Sequence, residues 1–435
     1  MESHPFTLFK NNKKNSYLCN TNLRRLIILL YRSNQVTAMS IKPTHALLFL
    51  FLLINTVSCN KSDDIQKPVS YTVLIYMAAD NSMESEVEYA LQQLKSGMKK
   101  SGGTTVVFLD SRNSTPRLFK INNQGEEIPL KTYPELNSAS AETLKQIIAD
   151  TKQLAPNNKY GLVMWSHAMG WLPMNHSNVS GSIKSKMAGQ IRPNTRYCGA
   201  DEHPGDGSVG MKMLEIDKMA DTLPDNGFEY ILFDVCLMGN IESLYQLRHS
   251  CNYILASPTE VLAEASHNAS GFPYESAMPK LFGSKNELTE ACKLYYGFYN
   301  GKSGILRSAS VCLIDTHELD SLYRITRTIL TGKLTEISNI DMSTIQVYHT
   351  AKIPQVFFDL GGYIQQFATT AAYHEFNVQL NKTVIYKANT DQFANDITID
   401  KNKFSGLSTY IPLLKWKNTN EYIYYFQNIN WSGVY

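Results

Sequence analysis

Six stretches of nearly unbroken apolar sequence, each followed by a polar or helix-patterned segment, constrain the fold of this chain most. They are "YTVLIYM" (71–77), "TTVVFLD" (104–110), "YGLVMWSH" (160–167), "YILFDVC" (230–236), "YILASP" (253–258) and "SVCLID" (310–315). A strand buried on one face alternates apolar and polar residues, whereas one buried on both reads as a continuous run. Between the runs lie helical patterns: "ESEVEYALQQLKSGMKK", "SASAETLKQIIADTKQL", "EIDKMADTL" and "NIESLYQLR". Asn81 or Ser82 is expected to cap the first helix, and Glu84 and Glu86 suit its positive end. "RLFKI" and "IPLKTY" around "NNQGEE" read as a hairpin. The expectation is an α/β fold with a mostly parallel central sheet covered by helices on both faces.

Such sheets do their chemistry beyond the carboxyl ends of their strands. His167 follows the run ending at Trp165, and Cys236 follows the run ending at Phe233. A thiol attacks a carbonyl as thiolate, and a nearby histidine or helix N-terminus makes it reactive. His167 and the helix starting near Asn240 are placed to do so, and the histidine can then protonate a leaving amine. The plainer alternative is a buried strand-end cysteine and a structural histidine.

The first residues point to export. From Met39, "MSIKPTHALLFLFLLINTVSCNKSDD" has a basic residue (Lys42), an apolar run from Ala46 to Ile54 and small residues before Cys59. That is a signal-peptide layout, too short to span a membrane. "TVSC" resembles the cleavage box of a bacterial lipoprotein, with Cys59 as the acylated residue, and "NKSDD" resembles a surface-export signal of some Gram-negative lipoproteins. A secretory signal with a chance cysteine is the alternative. Residues 1–38 read as an extension upstream of the true start, 39–58 as the signal peptide and 59–67 as a tether. Residues 68–307 then form a catalytic domain, and 308–435 a C-terminal α/β portion packed on it. The chain has seven cysteines. Setting aside Cys19 and Cys59 leaves Cys198, Cys236, Cys251, Cys292 and Cys312, an odd number, so at least one thiol stays free in an exported protein. A net charge of +2 argues against nucleic acid as a partner. The chain has no zinc-type cysteine pairs, no phosphate-binding loop and no HExxH.

"SHAMGW" (166–171) followed by "FDVCLMGNIESLYQLR" (233–248) resembles the clostripain family of cysteine peptidases, relatives of caspases, gingipains and legumain. "YTVLIYMAADNSME" (71–84) resembles the opening of that family's domain. "ASPTEV" (256–261) with "GFPY" (271–274) resembles the segment after its cysteine, and "FSGLSTYIP" (404–412) a late motif. The resemblance implies a caspase-like three-layer sandwich and a dyad, with His167 as general acid/base and Cys236 as nucleophile. It also implies an oxyanion hole from the backbone N–H groups of Ala168 and Cys236, and cleavage of protein or peptide substrates after Arg or Lys. Asp234 falls where the family places an acid tied to that preference; a carboxylate there would pair a guanidinium or ammonium. Asp234 as a helix cap or backbone acceptor is the alternative. The family usually has glycine where this chain has Ala168. Family members are often zymogens cut between histidine and cysteine. Here the long irregular stretch 174–209 offers Lys184, Lys186, Arg192 and Arg196 as self-cleavage points. Some members need calcium, and Asp201, Glu202 and Asp206 are loop acids that could bind it, although they match no defined ligand spacing. Two rival readings stand: a non-catalytic surface lipoprotein that binds, and the same dyad with Asn or Asp preferred before the scissile bond. The only membrane contact expected is the lipid anchor.

Overall fold

The computed structural model describes residues 71–173, 201–203, 205, 212–349 and 355–435. Among these, one sheet is built of β1 (Tyr71–Ala79), β2 (Thr104–Ser111), β3 (Ser114–Ile121), β4 (Glu127–Thr132), β5 (Lys159–Trp165), β6 (Phe228–Asp234), β7 (Cys251–Ala256), β8 (Ser310–Asp315) and β9 (Val384–Asn389). Their spatial order is β9-β8-β7-β6-β5-β1-β2-β3-β4. The middle five, β2-β1-β5-β6-β7, are parallel. Both flanks are antiparallel, with β3 and β4 forming the expected hairpin on one side and β8 and β9 on the other.

The burial explains this order. Every residue of the interior strand β1 is buried, as its unbroken apolar run requires, whereas no residue of the edge strand β4 is buried. The principal helices are α1 (Glu84–Met98), α2 (Ala141–Leu154), α3 (Ile216–Thr222), α4 (Ile241–Gln246), α5 (Lys285–Asn300), α6 (Leu319–Leu330), α7 (Leu360–Gln365), α8 (Thr370–Thr383) and α9 (Asn420–Asn428). α1 turns Val87, Ala90, Leu91, Leu94 and Met98 inward at helical spacing. Ser140 caps α2 by accepting the Thr143 N–H. α1 and α5 pack through the short helical turns at 274–282, while α2, α3 and α4 pack in succession and α6 meets α8. The C-terminal portion adds β8 and β9 to the sheet edge, and its strand Ser408–Thr409 pairs with Phe358–Asp359. Among the described residues, no helix is long and apolar enough to cross a membrane.

Candidate active site

β5 and β6 run side by side, with Trp165 opposite Asp234. His167 and Cys236 each lie two residues beyond that matched pair. Adjacent strands are about 4.8 Å apart. The strand order therefore sets a histidine and a cysteine, far apart in sequence, at equivalent points on one edge of the sheet.

His167 is buried, and its Nε2 lies 2.8 Å from the Ser82 hydroxyl. Neither Asn81 nor Ser82, the two expected caps, holds the cap position of α1, which is Met83 without a side-chain cap bond. The helix begins after Met83, whose N–H is taken by Asn81 Oδ1 at 2.8 Å, and the Ser82 hydroxyl turns to the imidazole instead. The preceding Ser166 hydroxyl donates to the Ala78 carbonyl at 2.7 Å, tying the β5 end to the β1 end. Ala168 is not among the residues with positive φ; the left-handed position of this loop is Gly170, at φ +62. Alanine after the histidine is therefore unstrained. A Cβ on Gly170 would come within 2.7 Å of Asn240 Nδ2 and 2.9 Å of the Leu237 carbonyl oxygen, so this glycine lets the histidine loop lie against the cysteine turn.

Cys236 has no exposed surface. Its sulfur accepts the Val261 N–H at 3.2 Å. The next residue, Leu237, is held at φ +61, a conformation costing a non-glycine residue about 1–2 kcal/mol. Neighbouring bonds hold the turn there. Leu237 N–H donates to Thr259 O at 2.9 Å and Gly239 N–H to Ser257 O at 2.8 Å. Asn240 donates to Leu237 O at 2.7 Å and caps α4 by accepting the Ser243 N–H at 2.8 Å. From the other side Ser408 N–H donates to Gly239 O at 2.9 Å. Glu242 accepts from Tyr410 N–H and the Thr409 hydroxyl, while burial pushes its carboxyl up to about 7.

Asp234 is buried and accepts the Phe272 N–H at 3.0 Å and the Tyr274 hydroxyl at 2.7 Å. It thus binds backbone, as one of the two readings of this residue required. It also lines a small cavity, with about 250 Å³ of empty space, walled by Val261, Phe272 and Tyr295. Val261 belongs to both features: its N–H meets the Cys236 sulfur and it lines the acid's cavity. A larger cleft of about 670 Å³ holds His167 and Ala168, together with Met213, Ile216 and Met219 leading into α3. Val235 lines this cleft and Asp234 the cavity, as alternation along an extended segment requires.

The loop acids have other partners. Asp201 accepts the Ser138 and His203 N–H groups at 2.8 and 2.9 Å, and Glu202 pairs with Arg112. Beside them Asp110 is pushed up to about 7, by burial first and by neighbouring acids including Asp201. Among the described residues no group of three His, Cys, Asp or Glu side chains could hold a metal ion. Lys184, Lys186, Arg192, Arg196, Asp206, Cys198, Cys59 and Cys19 lie outside the described residues. Ser82, Gly170, Val261 and Tyr274 entered no sequence expectation as site residues. Each sits inside or beside a quoted motif, but its role depends on contacts between distant segments.

A parallel α/β sheet with a cysteine and a histidine just past adjacent strand ends defines the layout expected of a caspase-like hydrolase. The model of the clostripain family matches residues 75–432, and the chain belongs to that family. It is 25% identical over 244 residues to clostripain of Hathewaya histolytica, covering 50% of this chain and 43% of clostripain, so the match spans less than half of that relative's length. Among solved structures it is similar to an inactive zymogen C11 protease from Parabacteroides distasonis, at 29% identity and a TM-score of 0.68, covering 84% of this chain and 98% of that one. It is also similar to a secreted C11 cysteine protease from Bacteroides thetaiotaomicron in complex with an irreversible peptide inhibitor, at 26% identity and a TM-score of 0.66, covering 84% and 98%.

Proposed function

We propose that this protein is an exported cysteine endopeptidase that cleaves after Arg or Lys. In this reading His167 takes the Cys236 thiol proton, and the sulfur adds to the scissile carbonyl carbon. The Ala168 and Cys236 N–H groups hold the resulting oxyanion. The C–N bond then breaks as His167 returns the proton to the leaving amine, and water hydrolyses the thioester to free the thiol. The observation that carries the reading is the matched offset of His167 and Cys236 beyond the Trp165–Asp234 pair, closed by the contact at Gly170. Asp234 as selector is supported by its place in the lining of a cavity whose Val261 wall also bonds the nucleophile's sulfur.

A thiol with no exposed surface cannot meet a peptide. The described conformation therefore fits a closed precursor, opened by a cut at Lys184, Lys186, Arg192 or Arg196. The likeness to an inactive zymogen supports this. Export is supported by the likeness to a secreted protease, and acylation of Cys59 would keep the enzyme on a membrane surface.

The test uses the protein from Asn60 onward, with the 174–209 loop nicked by trypsin and trypsin then inhibited. It is offered fluorogenic peptides ending in Arg, Lys, Asn or Asp, beside Cys236→Ala. Release after Arg and Lys, absent in the variant, is expected. Release after Asn or Asp would overturn the selectivity, and equal release by the variant would overturn the nucleophile.

A further inference from the structure

A further pocket, open to solvent, lies in the C-terminal portion. Its lining is mostly polar and comes from segments far apart in the chain: the turn at 344–346, α7, α8, β9 and residues 402–405. Five residues lining it, Gln365, Asn381, Asn402, Lys387 and Lys403, have side chains that make no hydrogen bond or ion pair among the described residues. Exposed polar side chains are often unpaired. Here five of them converge on one concavity, with Tyr373 supplying an aromatic surface.

The one buried acid in the lining, Asp359, is already engaged. Its carboxylate accepts the Tyr348 hydroxyl at 2.6 Å and the Gly362 and Ser405 N–H groups at 2.7 Å each. The chemistry left for a ligand is two ammonium groups with no ion pair among the described residues and three amides. Ammonium groups only donate, whereas each amide both donates and accepts, as hydroxyls do. A bare inorganic anion would engage the lysines and leave the amide acceptors unmatched. A neutral sugar would leave the lysines unmatched. Partial burial also draws the Lys387 pKa down, against the pull of Asp359; a bound carboxylate would reverse that loss.

We infer that this pocket binds a sugar acid: a hydroxyl-rich ring bearing a carboxylate, held by Lys387 and Lys403 at its charge and by Gln365, Asn381 and Asn402 at its hydroxyls. The site is separate from the cleft of His167 and the cavity of Asp234, with which it shares no lining residue.

Glucuronate is the probe. Its binding to the protein from Asn60 onward is followed by saturation-transfer NMR and calorimetry, with glucose, acetate and inorganic phosphate as separate arms. The expected result is saturable glucuronate binding, with glucose and acetate each at least about tenfold weaker. Lys387→Gln and Asn381→Ala should each weaken it by about tenfold, the scale of one charge-assisted hydrogen bond, with unchanged melting temperatures. Absence of saturable binding would overturn the inference, as would phosphate or acetate binding as tightly as glucuronate, or both variants binding like the parent.

Discussion

Cys236 and Cys312 are both wholly buried, and composition cannot tell them apart. Cys312 sits within β8, its sulfur 3.4 Å from the Ala256 carbonyl, and burial pushes its thiol up to about 12. Cys236 sits past the end of β6, beside a residue with left-handed backbone; its sulfur accepts the Val261 N–H at 3.2 Å and lies 3.7 Å from the Val261 carbonyl. A backbone carbonyl lies beside both sulfurs, so the difference between a filler and a nucleophile lies in where the strand stops, with a backbone N–H added at Cys236. Burial is common to both.

The sharpest way to break this contrast is to remove each sulfur in turn. Cys236→Ala should lower peptide hydrolysis on the order of a thousandfold or more, whereas Cys312→Ala should leave kcat within about twofold and lower stability by about 1 kcal/mol. Similar kinetic losses in the two variants would erase the distinction. Next in size is Asp234→Asn. Arg and Lys substrates should lose roughly 10–100-fold in kcat/KM, while a substrate with a neutral side chain at that position loses far less. Equal losses across substrates would reduce Asp234 to a partner of Phe272 and Tyr274. Gly170→Ala comes third. A side chain at φ +62, pressed on Asn240 and Leu237, should lower stability by about 1–3 kcal/mol and activity by about tenfold, read by thermal unfolding and kcat. Ala168→Gly should change kcat by less than about twofold, because the alanine carries no left-handed strain. A large gain would revive the idea that this residue impairs the site.

The residues that made the fold legible are those with unbroken apolar runs. Tyr71–Met77 and Tyr230–Phe233 are buried in parallel strands because a sheet covered on both faces tolerates no polar alternation there. The same logic placed His167 and Cys236 beyond strand ends. It could not place β5 next to β6, because pairing order is settled by long-range packing that no local pattern encodes. Ser82 shows the cost of local reasoning: it has the chemistry of a helix cap, yet its hydroxyl goes to the imidazole of His167 and the helix begins after Met83 with no side-chain cap. Val261 and Gly170 carry no distinctive chemistry of their own. Val261 acts through its backbone N–H, and Gly170 through the space left by its missing side chain.

The most direct test of the central claim is to react the loop-nicked protein with a peptidyl chloromethyl ketone ending in Lys and map the adduct by mass spectrometry. One stoichiometric alkylation is expected, on the sulfur of Cys236, with Cys251, Cys292 and Cys312 unmodified and activity lost in parallel. An adduct on another cysteine, or loss of activity with Cys236 untouched, would contradict it.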